Sequence, residues 1–358
     1  MSHKTEREIG NISRLCGDLY TVEAVYRGGE RVVIGLAGNG SERAEKLLRE
    51  RLQLSGYEHT LEVKEPGRLE LTVKLKRKLV IPRLNVILFF VTLGTVYFFP
   101  VFLREGFEIG ATMEALRNGA GIQFTAALMS ILICHEMGHF LVGRRRGIVT
   151  SWPYFLPAPS LIGTFGAVIR SKSPFWNRRD LMAVGAAGPI AGWVVAIGWL
   201  VYGLMHSSIR LTTGFGPDEM GFSLEGESIL TRFLIPLIVG RAPDGYAYLL
   251  TEGAFAGWVG LLITAINLLP MGQLDGGHIV YSIIRRRQHL LGWGTVALLV
   301  GLGFQSATWW VFAGLGLAFG TGHPPTLDDG AALDRRSYVL GIVAVGILLL
   351  SFTPIPFR

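Results

Sequence analysis

Cysteine is nearly absent. The only two, Cys16 and Cys134, fall in a charged region and an apolar one, so a disulfide framework is not expected and a reducing compartment fits. Residues 1–20 carry charges throughout and contain no apolar core of signal-peptide length, so the N-terminal region is expected to stay on the side where it is made. Residues 35–40 are glycine-rich but lack the Lys-Ser/Thr of a phosphate loop, which leaves them as a turn. No period indicates a repeat protein. Charge is also sparse, at 17% of the chain, and uneven: residues 1 to about 80 carry both signs, whereas beyond them charge is confined to short loops. The net charge of +7 does not imply nucleic acid, because the basic residues gather beside apolar runs, where the positive-inside bias accounts for them.

What the chain has in quantity is apolar sequence, 50% of its 358 residues. Six stretches approach or exceed the roughly 20 residues that cross a bilayer as helix: 82–103, 118–143, 181–206, 253–270, 291–319 and 339–352. The reading is a mainly α-helical polytopic membrane protein of about six transmembrane helices (residues 82–352) behind a small N-terminal α/β head (residues 1–80). Arginine and lysine fix the orientation. Lys74, Lys76, Arg77, Lys78 and Arg83 precede the first stretch; residues 144–146 with Arg170, Lys172, Arg178 and Arg179 follow the second; residues 285–287 follow the fourth. These loops and both termini are therefore expected in the cytoplasm. In the head, two strands within 19–36 around the Arg27-Gly28-Gly29-Glu30 turn, a helix over 41–54 and strands at 60–64 and 68–76 are expected. A short apolar piece, 228–240, is read as an interfacial helix.

The second stretch contains His135-Glu136-Met137-Gly138-His139, a His-Glu-x-x-His pattern. On a helix the two imidazoles share a face and reach one zinc, while Glu136, offset by about 100°, faces a bound water. Two imidazoles and a carboxylate on one turn of a membrane helix are costly to bury, which calls for a cation. A catalytic zinc takes three protein ligands. Asp275, just past the fourth stretch and shortly before residues 285–287, lies at the same depth as His139 before residues 144–146, and is the candidate third ligand. Cys134 points away from His135 and is read as packing. His278 is read as a second contact behind the ligands or as a packing or capping residue. His206, His289 and His323 have no companions at ligand spacing.

The pairing of His-Glu-x-x-His with Asn267-Leu-Leu-Pro-x-Gly-Gln-Leu-Asp275-Gly-Gly-His278 resembles the site-2 protease family of intramembrane zinc metalloproteases, in its prokaryotic and chloroplast branch and with no evident PDZ domain. The resemblance covers roughly residues 82–352 and does not extend to the head. It implies core helices at about 118–143, 181–206 and 253–270, one zinc per chain on His135, His139 and Asp275, and Glu136 as general base. It also implies that Asn267 holds the substrate carbonyl, against the plainer role of a cap or interhelical bond. Ala187-Gly188-Pro189 matches a further family pattern, but Gly192 stands where many members have Asn. The implied activity is hydrolysis of peptide bonds in or near single-span membrane-protein substrates, in the lipid bilayer of a prokaryotic plasma membrane. The oligomeric state is not legible.

Substrate must be extended before it is cut. Pro153, Pro157 and Pro159 preclude a helix over 152–169, so residues 163–169 are read as an extended edge that pairs with substrate, with Gly163, Thr164, Phe165 and Gly166 as the candidate contacts and an ordinary cytoplasmic turn as the equal alternative. Two other functions stay open: a proteolytically silent zinc-containing regulator or helix-binding protein, and a transporter with an intramembrane metal. Glu136 argues against the first, since a structural zinc needs no base. The clustering of polar residues at one face argues against the second.

Overall fold

Alternation of apolar residues in the head produces a one-sided sheet. In the computed structural model, which describes residues 3–28, 31–38, 41–55, 59–65, 67–74, 81–148, 150–171, 175–211 and 227–356, the head runs α1 (His3–Cys16), β1 (Thr21–Gly28), β2 (Arg31–Ala37), α2 (Glu42–Ser55), β3 (His59–Glu65) and β4 (Arg68–Lys74). The strands are antiparallel in the order β1-β2-β4-β3. Ile34 lies opposite Leu71 and Val32 opposite Val73, and with Leu61 and Leu69 they bury one face under Ile12 and Cys16 of α1 and Leu48 and Leu52 of α2. Burial pushes the Cys16 thiol up to about 12, so it stays neutral. Helix α1 is not among the expected elements. Its sequence signal is only Ile9, Ile12 and Cys16 on one stripe among charges, and the stripe becomes meaningful once the sheet is there to cover. Gly29, Glu30, Asn39, Gly40, Lys76, Arg77, Lys78 and Lys172, used in the sequence expectations, lie outside the described residues.

The remainder is helical: α3 (Arg83–Arg104), α4 (Ile109–Arg117), α5 (Ile122–Arg145), a hairpin of β5 (Tyr154–Pro157) and β6 (Thr164–Val168), and α6 (Arg178–Met205). There follow β7 (Ser208–Leu211), α7 (Ile229–Ile238), β8 (Tyr246–Leu249), α8 (Glu252–Asn267), α9 (Asp275–Ile284), α10 (Gln288–Gly303), α11 (Thr308–Phe319) and α12 (Arg335–Ser351). Among the described residues, α3, α5 and α6 are long and apolar enough to cross a membrane. Their 22, 24 and 28 residues extend about 33–42 Å, against ~30 Å of hydrocarbon. The expectation of about six spans is met only this far. Helices α8 and α10 have 16 residues each and reach about 24 Å. The stretch 291–319 is not one helix but two. Residues 304–307 break it, α11 folds back along α10, and the Trp310 indole occupies the space where a side chain on Gly303 would begin.

Small residues set the central packing. Gly188 and Gly192 of α6 lie against His139 and His135 of α5, and Trp199 Nε1 donates to Ser130 Oγ farther along, so the two helices run antiparallel. Gly203 of α6 meets Ala254, and Gly257 of α8 meets Ala196 and Leu200, so α8 is antiparallel to α6 and parallel to α5. The C-terminal ends of α5 and α8 therefore emerge on one side, beside the start of α6. An ion pair of Arg146 with Asp180 at 2.8 Å ties the first and third of these ends. The head docks there: Leu15 joins Ile148, Trp176 and Val184 in one buried cluster, and Arg14 donates to the carbonyl of Arg145.

Candidate metal centre

Residues 135 and 139 are one helical turn apart on α5, and their Nε2 atoms lie 3.2 Å from each other. Asp275, the first residue of α9, brings Oδ2 to 3.2 Å from His135 Nε2 and Oδ1 to 3.2 Å from His139 Nε2. His139 Nδ1–H donates to the Val184 carbonyl at 2.8 Å, which assigns the ring's proton to Nδ1 and turns an Nε2 lone pair toward the other two groups. With its proton on Nδ1, His139 turns a bare Nε2 toward the Asp275 carboxylate and the His135 ring, an arrangement that a cation between the three groups would satisfy. Their spacing fits zinc: a tetrahedral ion with bonds of ~2.0 Å has ligand atoms about 3.3 Å apart. Among the described residues, His135, His139 and Asp275 are the group of such side chains able to hold a metal. Cys134 is a free thiol outside it.

Backbone close approaches position each of the three candidate ligands. A β-carbon on Gly188 would fall 2.0 Å from His139 Nε2, and one on Gly192 would fall 3.1 Å from His135 Cβ, so these glycines form the seat on which both imidazoles rest. On the opposite wall, α8 ends at Asn267 and the chain turns through residues 268–274 into α9. A side chain on Gly276 would begin 1.9 Å from the Leu268 carbonyl. The Asp-Gly-Gly sequence thus lets the first turn of α9 press into the end of α8 and aim Asp275 at the two histidines.

Glu136 is buried beside these three side chains, and its Oε2 has no hydrogen-bond partner among the described residues. Such an orphan is expensive unless water or substrate completes it. Asn267 lines the same cavity, with no partner for its amide among the described residues. His135, His139, Asp275, Glu136 and Asn267 therefore converge on one cavity.

The other four sequence candidates sit a short distance away. Gly163 turns at φ +73° with its α-carbon against Val96 of α3; Thr164 is buried, donating to the Leu156 carbonyl at 2.7 Å; Phe165 is 76% exposed; Gly166 adopts φ +94°. None of the four lines the cavity. The next residues of the same segment, Ala167, Val168 and Ile169, do. Strand β6 pairs with β5 alone, through Tyr154–Val168, Phe155–Ala167 and Pro157–Thr164, which leaves its other edge unpaired among the described residues. Helix α3 holds this hairpin through Asn85, which donates to the carbonyls of Trp152 and Pro153 at 3.1 and 2.7 Å, and through a Phe89–Phe155 edge contact.

Sequence reasoning missed Phe175, Gln273, Thr150 and Ser171 in the cavity wall, and left His278 undecided. It also left His323 without a companion, whereas His323 Nε2 lies 2.6 Å from His278 Nδ1. Separated by 45 residues, the pair carries no local spacing signal.

The sequence model of peptidase family M50 matches residues 123–305. A protein of Arabidopsis thaliana named "Probable zinc metalloprotease EGY2, chloroplastic" is 32% identical over 276 residues, covering 74% of this chain and 48% of that protein. A rice protein of the same name, from Oryza sativa subsp. indica, is 35% identical over 181 residues, covering 49% and 31%. The Arabidopsis "Probable zinc metalloprotease EGY1, chloroplastic" is 28% identical over 248 residues, covering 66% and 43%. The chain thus aligns with less than half the length of these relatives. No solved structure matches it.

Proposed function

Because this chain belongs to peptidase family M50, the site-2 protease family, we propose that it is a zinc metalloprotease that hydrolyses peptide bonds within or near the membrane-spanning segments of single-span substrates. The observation that carries this reading is the convergence of His135, His139 and Asp275 at 3.2 Å spacings beside a buried carboxylate, Glu136, whose Oε2 has no hydrogen-bond partner among the described residues. A structural zinc closed by four protein ligands would leave Glu136 without a role.

His135, His139 and Asp275 would hold the ion, which when bound supplies Lewis acidity to the scissile carbonyl and its attacking water. Glu136 accepts the proton of that water and returns it to the departing nitrogen, so one carboxylate serves first as base and then as acid. Asn267 donates its amide hydrogen to the carbonyl oxygen as negative charge grows there. The unpaired edge of β6 receives the substrate as an added strand, which exposes carbonyls that a helix would keep bonded, with Gly163 to Gly166 entering that edge and residues 167–169 leading it to the metal.

The membrane is proposed to be a prokaryotic plasma membrane, with the metal near the cytoplasmic face, both termini cytoplasmic and further spans among α8 to α12. The arginines of the loops after α5 and α9 support that orientation. The relatives' names place those proteins in chloroplasts.

The test is to incubate the purified chain in nanodiscs with a labelled single-span substrate, to strip and restore zinc, and to read the cut site by mass spectrometry. Zinc-dependent cleavage in or beside the apolar segment is expected. Cleavage that ignores zinc, or none with zinc restored, overturns the proposal.

A further inference from the structure

Two histidines that metal ligation does not use meet beside the metal centre. His278 follows Asp275 by one turn of α9 and lines the same cavity as Glu136 and Asn267. His323 reaches it on residues 320–334, the strap that returns from α11 to α12. His278 Nδ1 and His323 Nε2 are 2.6 Å apart, with the rings edge to face.

The far end of this pair assigns its protons. His323 Nδ1 lies 2.5 Å from the Pro324 carbonyl, which only accepts, so Nδ1 carries the hydrogen and Nε2 of a neutral His323 is a lone pair. His278 must then donate through Nδ1. Its remaining nitrogen, Nε2, is left as an acceptor with no partner among the described residues.

The ring is also fixed in place. Gly185 admits its β-carbon, Phe175 lies 5.6 Å from it, and the Tyr281 ring lies tilted against His323 at 4.6 Å while its hydroxyl donates to Asp329. The strap is bonded to the same wall, Leu327 and Asp328 donating to the carbonyls of Phe175 and Trp176.

An extended peptide added to β6 bonds that strand along one side only, and its opposite side offers backbone N–H groups that need acceptors. Resting on the protease reading above, we propose that His278 is a substrate-positioning residue whose Nε2 accepts a backbone N–H of the segment being cut. His323 and the strap act through it, by holding the ring in the tautomer that accepts.

Two replacements separate this role from a purely structural His278–His323 contact. His278→Gln sets an amide oxygen near the place of Nε2 and gives up the bond to His323; His278→Asn keeps a donor near Nδ1 and gives up the acceptor in the cavity. Each is made in wild type and in the Glu136→Gln background, with zinc content, KM and kcat read in the first and the affinity of an uncut labelled single-span peptide in the second. In the Asn variants, KM and the dissociation constant should rise by roughly five- to tenfold, the loss of one hydrogen bond, with zinc retained. The Gln variants should recover most of that binding. Unchanged binding by Asn, or recovery by Asn and not by Gln, overturns the inference, and so does loss of zinc from either variant. Because peptide affinity is read without turnover, a wild type that cuts nothing would sink the protease reading and still leave the role of His278 decided.

Discussion

Gly188 carries no side chain because His139 lies where one would start, with Nε2 only 2.0 Å from the position of a β-carbon. Gly188→Ala must therefore push the imidazole off its seat or part α5 from α6, and purified protein should lose zinc affinity by at least about tenfold, as when a ligand's support is removed. Gly198→Ala on the same helix meets nothing within 4 Å and should hold zinc normally, which makes it the control. Asn267→Ala should keep its metal and lose about 10²- to 10³-fold in kcat, the range for one donor to a developing oxyanion; a change confined to KM would argue for ground-state binding alone. At this scale the sequence was legible where spacing is local. The i, i+4 pair His135 and His139 declares its face, and the arginine flanks suggested Asp275 as its companion, which lies 3.2 Å from both imidazoles. The seat formed by Gly188 and Gly192, and the meeting of His278 with His323, depend on which helices touch and leave no mark in local spacing.

Elements deliver these residues through contacts that differ in how far they can be read. Hairpin β5–β6 is expected as extended chain because prolines forbid a helix. That α3 fastens it through Asn85 and Phe89, and that residues 167–169 line the cavity of His135, His139 and Asp275, required the fold. Phe165→Pro should lower cleavage several-fold with zinc unchanged, since it stiffens the edge proposed to bind substrate; unchanged cleavage would remove β6 from that role. The single span expected at 291–319 failed because hydropathy does not register a break. Residues 304–307 turn, and Gly303 lets Trp310 close the resulting hairpin.

The strap offers a pH test. Burial alone would raise the Asp329 carboxyl, but hydrogen bonds from Thr326 and Tyr281 outweigh it and hold the group below its ordinary value. An unfolded Asp titrates near ~3.9, so this attachment is complete above about pH 5 and is lost as pH falls through the lower folded value. Amide protection at residues 326–330 should hold from neutral pH down to about 5 and fall in more acid solution. Asp329→Asn should show reduced protection even at neutral pH.

On the scale of the molecule, the head is the part that sequence left most open, and its position now has a physical consequence. Leu15 packs with Ile148, Trp176 and Val184, and the Val184 carbonyl is the group that fixes the His139 proton. Only a few contacts separate the head from His139, a proposed metal ligand. Leu15→Asp would bury a charge in that cluster and should release the head, read as faster proteolysis of the head, together with a fall in kcat. Faster proteolysis with unaltered kcat would mean that the head rides on the enzyme without acting on its centre. The charge division between residues 1–80 and the rest exposed two regions of different solvent preference. It carried nothing about their docking, which buries a handful of side chains scattered over four segments of the chain.

The central claim is that Glu136 is the base at a metal held by other residues. Zinc content and single-turnover cleavage of purified Glu136→Gln, measured on the same sample beside wild type, test it most directly. About one zinc per chain is expected, with a rate lowered by roughly 10²- to 10⁴-fold, the span attributed to general base catalysis. A zinc-loaded Glu136→Gln protein that cleaves at the wild-type rate would contradict it.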